Sequence, residues 1–246
     1  MRKLGVYLIN LDRSKERLAA MRKKLLEAGF GGFTRVQAVD GFGRAPSFGE
    51  INENAYRIAH GKKGILPGEY GCYMSHVKAI RAFIESDNDY ALILEDDMAF
   101  DDDFRDVIEA LTACSCWDIV KLNGGHGGGN LPVMRVGSRR LVLNAFYQSK
   151  SGAYIINRRA GAAYLRCLLP MFVPYDHEFI KFWKYCVRGF SMHPFPAREE
   201  GIDVSTVQHV RNRGLFMHRI TMAGYKLYIT LRRLGHAVWR SVSFYY

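Results

Sequence analysis

The stretch Tyr90-Ala91-Leu92-Ile93-Leu94-Glu95-Asp96-Asp97-Met98-Ala99-Phe100-Asp101-Asp102-Asp103 decides how this chain is read. Residues 91–94 form an apolar run of strand length with no polar alternation, which suits a strand buried on both faces. Three carboxylates follow at once, where such a strand reaches the carboxyl rim of an open α/β sheet, the place where ligands bind. Adjacent carboxylates repel one another unless a cation or another partner neutralises them. Hard oxygen ligands favour Mg²⁺ or Mn²⁺, ions commonly shared with a substrate's phosphates. Residues two apart on an extended chain point the same way, so Glu95 and Asp97 are expected on one face and Asp96 on the other. The alternative is a solvated acidic loop in which residues 101–103 cap the next helix.

Strand and helix signals alternate on either side. Residues 4–9 read as a first buried strand, and Asp12 is placed to cap a helix to Ala28, with Leu18, Met21, Leu25 and Ala28 on one face. Gly29 and the Gly31-Gly32 pair stop it. A second strand is expected over 35–39, then a loop with a short helix near 52–59. Pro67-Gly68 opens a helix in which Tyr73, Val77, Ile80 and Ile84 recur at helical spacing. Beyond the acidic run come a helix over 103–111, a short strand over 118–122 and a mobile segment over 123–130 with five glycines. A strand over 152–156 leads into a helix at 158–169, ended by Pro170. This alternation implies an α/β fold with a largely parallel sheet.

A chain of 246 residues can bury one good core and a small appendage. Its 13% aromatic and 24% charged content excludes a disordered chain. Five cysteines without Cys-x-x-Cys spacing are expected to be reduced thiols, which points to the cytosol. The apolar run at 4–9 is too short for a signal-peptide core, and no stretch approaches the roughly 20 apolar residues of a membrane span. A cytoplasmic protein, peripheral on the cytoplasmic face of the inner membrane, is therefore expected.

Of the net charge of +11, seven units fall in residues 204–246, which contain no Asp or Glu. The body is nearly balanced and carries no nucleic-acid-binding motif, so a basic nucleic-acid-binding protein is the weaker reading. Over 215–240, Phe216, Ile220, Ala223, Leu227, Leu231, Leu234 and Val238 share one helical face, while Arg219, Lys226, Arg233 and Arg240 recur seven apart on another. A basic amphipathic helix is expected, either lying on an anionic membrane surface or packed on the core with its charges solvated. The chain divides accordingly into residues 1–205 and 206–246.

Three further blocks can carry chemistry. Gly68-Glu69-Tyr70-Gly71-Cys72-Tyr73-Met74-Ser75-His76 joins glycines that allow close backbone approach to a Ser and a His able to donate to a phosphate or sugar hydroxyl; the plain alternative is a structural His in an amphipathic helix. Asn10-Leu11-Asp12-Arg13-Ser14-Lys15-Glu16-Arg17 turns from strand end to helix where a nucleotide sits in a doubly wound sheet, or is only a helix cap with surface ion pairs. It lacks Gly-x-Gly-x-x-Gly, which argues against a dinucleotide. In Pro174-Tyr175-Asp176-His177-Glu178, Asp176 is either a helix cap or a general base.

In this order the blocks resemble glycosyltransferase family 25, the bacterial lipooligosaccharide glycosyltransferases and collagen galactosyltransferases. The matching text is Val6-Tyr7-Leu8-Ile9-Asn10-Leu11-Asp12-Arg13-Ser14-Lys15-Glu16-Arg17, Ala38-Val39-Asp40-Gly41, the block ending at Ser75-His76, Leu94-Glu95-Asp96-Asp97, Gly152-Ala153-Tyr154-Ile155-Ile156-Asn157-Arg158 and Pro174-Tyr175-Asp176. The resemblance implies a GT-A-like, Rossmann-related nucleotide-sugar-binding domain that uses a UDP-sugar, typically UDP-galactose or UDP-glucose. It implies that Glu95-Asp96-Asp97 is the DxD-type metal site, that Asn10, Asp12 and Arg17 belong to the donor pocket, and that Ser75 and His76 lie near the diphosphate. Asp176 matches the family's Pro-x-Asp position facing the acceptor. The chain departs from the family at His193-Pro194-Phe195-Pro196-Ala197-Arg198-Glu199-Glu200; His193 and His209 are the candidates for the missing third ligand.

Taken with these features, the resemblance implies an inverting hexosyltransferase acting on a lipid-linked lipooligosaccharide or lipopolysaccharide acceptor. Mn²⁺ or Mg²⁺ is expected on Asp97 with Glu95 or Asp96, and Asp176 is the first choice for the base, Glu178 the second. A metal-dependent nucleotide-sugar phosphohydrolase could be built on the same acids.

Overall fold

In the computed structural model, which describes residues 2–60, 64–125, 129–200 and 216–244, the acidic run ends an inner strand of a mixed sheet. Side chains of the last segment are described only between 223 and 239. In chain order the elements are β1 (Leu4–Asn10), α1 (Lys15–Glu27), β2 (Thr34–Gln37), α2 (Glu53–His60), α3 (Pro67–Glu85), β3 (Tyr90–Glu95), β4 (Met98–Phe100) and α4 (Phe104–Ala113). They continue with β5 (Ile119–Lys121), β6 (Asn130–Val136), β7 (Arg139–Asn144), β8 (Ala153–Asn157), α5 (Arg158–Cys167), α6 (Tyr175–Phe179), β9 (Gly189–His193), β10 (Ala197–Glu199) and α7 (Phe216–Phe244).

The eight-stranded sheet runs β2-β1-β3-β8-β5-β9-β7-β6. It is mixed, which corrects the expectation of a largely parallel sheet. β1 is parallel to β2 and β3, and β5 to β9, but β8 runs against both β3 and β5, and β7 against β9 and β6. The hairpin β6–β7 gave no strong strand signal because Pro132 interrupts it and β6 lies at the sheet edge, where a proline and a bulge are tolerated.

Alternation along the inner strands sorts the core into two layers. Tyr7, Ile9, Ala91 and Ile93 pack with Tyr73, Val77 and Ile80 of α3 and with α5. Val6, Leu8, Leu92 and Leu94 pack with Met21 and Leu25 of α1 and Phe104 and Ile108 of α4. Both faces of β1 and β3 are therefore covered, which is why these strands read as continuous apolar runs.

Several boundaries differ in instructive ways. Ser14, not Asp12, precedes α1, and Asp12 is drawn away to Arg35 and Gln37 on β2. Asp103 stands at the N-cap of α4 without a side-chain capping bond. Asp101 and Asp103 instead clamp Arg139 of β7, with Ser138 also donating to Asp103. The block 193–200 folds back as β10 against β4, and Glu200 N–H donates to Asp97 O at 2.7 Å. Residues 126–128 of the glycine-rich segment, the 205/206 division and His209 lie outside the described residues.

The tail helix α7 lies along α2 and β7. Its inward side carries Tyr225, Ile229, Arg233 and His236, none of them exposed. Leu227, Leu231 and Val238, about 60% exposed, face outward with Tyr228 and Trp239. Packing thus follows neither simple expectation: a basic residue points in and the aliphatic stripe points out. No helix among the described residues is long and apolar enough to cross a membrane.

Candidate active site

Strand parity aims the acidic run. Odd residues of β3 face α3, so Glu95, the last strand residue, meets His76, whose Nε2 lies 3.0 Å from Glu95 Oε1. His76 is fully buried, stacks on Tyr175 at 4.0 Å between centroids, and has Nδ1 3.1 Å from the Tyr154 hydroxyl. Burial pushes the Glu95 carboxyl up, but the His76 hydrogen bond and the charges of His76 and Arg17 outweigh it, holding the group below its usual value. Asp96 turns to the α1 side, accepting from Asn10 Nδ2 at 2.6 Å and pairing with Arg17 at 2.9 Å.

Asp97 does not follow Glu95 to the α3 face as alternation predicts. The strand ends at Glu95, and Asp97 lies in the turn, paired with Arg17 at 2.7 Å. Burial, then the charge of Glu95, push its carboxyl up to about 7. Its Oδ1 is buried with no hydrogen-bond partner. A buried carboxylate oxygen without a donor is costly, and a hard divalent cation satisfies it. Asp97 Oδ1 is therefore an atom that such an ion could take, two residues beyond Glu95 at the strand end.

A softer set overlaps this one. Cys72 Sγ, a His76 ring nitrogen and a Glu95 oxygen lie within 4.8 Å of one another and could take a metal ion. Burial drives the Cys72 thiol well above its usual value, and the charges of Glu95, Asp176 and Asp97 push it further. A thiolate is a soft ligand, so this set suits a softer ion than Mg²⁺ or Mn²⁺, which prefer carboxylate oxygens.

Asn10, Asp12 and Arg17, expected at the donor pocket, are joined in one network. Asn10 is buried; besides Asp96, its Nδ2 donates to Ser14 O at 3.0 Å and its Oδ1 accepts from Arg35 Nε at 3.0 Å. Arg35 also donates to Asp12 at 2.6 Å, and the hydrogen bonds from Arg35 and Gln37 hold the Asp12 carboxyl low. Arg17 is 46% exposed and so reaches open space as well as Asp96 and Asp97. Arg35 carries no sequence signal of this role, being an ordinary β2 residue until the fold sets it beside β1.

Ser75 is placed otherwise than the resemblance implies. Its Oγ donates to Gly71 O at 2.6 Å and accepts from Val39 N at 2.8 Å, buried against the 38–41 loop. A Cβ on Gly41 would fall 1.8 Å from Pro67 O, and one on Gly71 2.6 Å from Val39 O. These glycines let loop and helix touch. They do not open the α3 terminus, where Glu69 accepts from Leu66 N–H at 3.3 Å.

On the other side stands Asp176, in the first turn of α6. Its Oδ2 accepts from the Tyr147 hydroxyl at 2.5 Å and its Oδ1 from His177 N–H at 2.9 Å. His76, stacked on Tyr175, links the acidic block to the short helix that carries Asp176. Glu178 points away into the core, fully buried, accepting from Lys181 and Tyr185 at 2.7 and 2.6 Å and from Lys184. Fully buried and paired with two lysines, it is an ion-pair hub of the core and a poor second choice for the base. Lys121, unremarked in the sequence because it merely ends a strand, is buried with Nζ donating to Gln148 O and Ser149 O at 2.8 and 2.6 Å. It ties down the loop that carries Tyr147. His193 is exposed and contacts Asn130.

Residues 3–120 match the family model described as glycosyltransferase family 25 (LPS biosynthesis protein). The matched segment runs from β1 into β5 and includes Asn10, Arg17, His76 and the 95–97 block. A "Glycosyltransferase 25 family member" of Aedes aegypti is 27% identical over 227 residues, covering 87% of this chain and 34% of its own length. Procollagen galactosyltransferase 1-B of Xenopus laevis is 27% identical over 203 residues, covering 76% and 32%. Procollagen galactosyltransferase 2 of Mus musculus is 28% identical over 106 residues, covering 41% and 16%. This chain spans about a third of the length of the first two. With a carboxylate-tipped strand, its neighbouring His and the Asn-x-Asp turn all inside the matched segment, residues 3–120 of this chain are similar to glycosyltransferase family 25.

Proposed function

We propose that this chain is an inverting hexosyltransferase of GT-A-like design that moves galactose or glucose from a UDP-sugar to a sugar hydroxyl of a lipooligosaccharide or lipopolysaccharide acceptor. The observation that carries the reading is the partnerless buried oxygen of Asp97, at the rim of β3 and beside Arg17. Glu95 and Asp97 would hold Mn²⁺ or Mg²⁺, which supplies positive charge beside the departing diphosphate. His76 orients Glu95 from behind. Asn10, Asp12 and Arg35 shape the donor turn, and Arg17 reaches the phosphates.

Asp176 accepts the proton of the acceptor hydroxyl as its oxygen attacks C1 from the face opposite the leaving group. The C1–O bond to the diphosphate breaks and the nucleoside diphosphate departs with the electron pair. Tyr147, donating to Asp176, fixes the carboxylate that takes the proton. The outward face of α7, with Leu227, Leu231 and Trp239 exposed and Lys226 and Arg232 at its flanks, suits the surface of an anionic membrane bearing the acceptor.

Thermal stabilisation by a panel of UDP-hexoses with Mn²⁺, followed by product analysis with and without lipooligosaccharide, tests the reading. A true donor stabilises the native state by mass action. Hexose attached to the acceptor is expected; release of free hexose at the same rate with and without acceptor would make the protein a phosphohydrolase instead.

A further inference from the structure

The tail helix reaches the acceptor side of the site through one residue. Arg233 of α7 is only 7% exposed, and no hydrogen bond or ion pair engages it among the described residues; its Nε is buried without a partner. Its guanidinium lies 5.9 Å from the ring centroids of both Tyr147 and Trp183. The same Tyr147 ring stacks on His177 of α6 at 4.5 Å, and its hydroxyl donates to Asp176. Three elements separated in sequence, the 145–152 loop, α6 and α7, thus converge on one tyrosine.

Burying a cation without a counter-ion is unfavourable, and an apolar side chain of similar volume would serve packing better. A guanidinium facing two aromatic rings recovers part of that loss through cation–π attraction, which strengthens out of water. Arg233 also places positive charge on the same tyrosine that holds the candidate base. Its heptad companion Lys226 is exposed, so inward burial is a property of position 233 and not of the whole basic stripe.

We propose that Arg233 is a positioning residue: it fixes the Tyr147 ring, and through the Tyr147 hydroxyl the orientation of Asp176, so that the tail helix completes the acceptor half of the site. The role of Asp176 in turnover rests on the transferase reading; the fixing of Tyr147 does not. The outward face of the same helix is the one suited to a membrane, so docking there would steady the residue that orders the site.

The test compares full-length wild type, Arg233→Met and Arg233→Lys. Amide hydrogen exchange of residues 146–151 is read first. Arg233→Met should raise exchange there at least tenfold, with a melting temperature equal to or above wild type because an unpaired buried charge is gone. Arg233→Lys should keep most of the protection. With a UDP-hexose that stabilises the protein, Mn²⁺ and lipooligosaccharide, Arg233→Met should lower kcat at least tenfold and leave the donor KM within twofold. Unchanged exchange at 146–151 in Arg233→Met overturns the proposal, as does equal loss of melting temperature in both variants, which is the mark of simple packing. Raised exchange in Arg233→Met, together with a wild type that transfers no hexose, retains Arg233 as the organiser of Tyr147 and refutes the transferase reading alone.

Discussion

His76 Nε2 lies 3.0 Å from Glu95 Oε1, across the gap between the middle of α3 and the end of β3. The pair links the buried aromatic layer, through Tyr154 and Tyr175, to the first carboxylate of the acidic block. A neighbour that orients a ligand is commonly as sensitive as the ligand itself. His76→Phe keeps the stacking on Tyr175 but strips Glu95 of its buried partner. It should cost about 1–3 kcal/mol in urea unfolding and weaken Mn²⁺ binding at least tenfold. Wild-type Mn²⁺ affinity in this variant would remove His76 from the site.

The clamp of Asp101 and Asp103 on Arg139 predicts an acid-sensitive brace between α4 and β7. Hydrogen bonds from Arg139 and Ser138 hold Asp103 down to about 2, below its ordinary 3.8. A group lowered on folding stabilises the native state above the unfolded value, and that contribution fades as pH falls from 3.8 towards 2. After discounting for its partial exposure, the contribution is about 1 kcal/mol. Asp103→Asn should therefore melt lower than wild type at pH 5 and converge with it near pH 2. A gap that persists at pH 2 would point to packing instead of charge.

Lys121 works in the opposite pH range. Burial lowers its ammonium to about 7 from 10.5, against the raising influence of Asp176 and Glu199. Between those values the unfolded chain holds more protons, so this group makes folding more favourable as pH rises from 7 to 10.5. Denaturant titrations at pH 7, 8.5 and 10 should show a shallower rise of stability in Lys121→Met than in wild type. Parallel curves would mean that the lysine stays fully charged on its two carbonyls.

The outward stripe of α7 predicts a surface-binding defect without a folding defect. Leu231→Glu sits on an exposed position, so its stability should lie within about 0.5 kcal/mol of wild type. Co-sedimentation with vesicles containing anionic lipid should weaken roughly tenfold or more, since an apolar side chain is lost and a like charge gained. Equal sedimentation of both proteins would leave the stripe without a membrane role.

What the sequence revealed depended on how local each signal was. β1 and β3 were legible because burial on both faces writes an unbroken apolar run, and the carboxylates marked the rim directly. The direction of β8 was not, because residues 153–157 look alike whichever way they pair. Ser75 read as a phosphate contact because its hydroxyl is visible in sequence, whereas the Gly41–Gly71 approach that turns it to Val39 is visible only in space. Residues 101–103 read as a cap because Arg139, their partner, lies 36 or more residues away along the chain. Tyr147, Lys121 and Arg233 belong to no motif. Each gains its place from contacts made across elements, which periodicity and spacing do not record.

The most direct test pairs donor binding with turnover in Asp176→Asn. The account predicts that a UDP-hexose with Mn²⁺ stabilises the variant as it does wild type, while transfer to lipooligosaccharide falls by roughly 100-fold or more, the scale of a lost general base. Collapse of donor stabilisation, with transfer per bound donor unchanged, would contradict it and place Asp176 on the donor side.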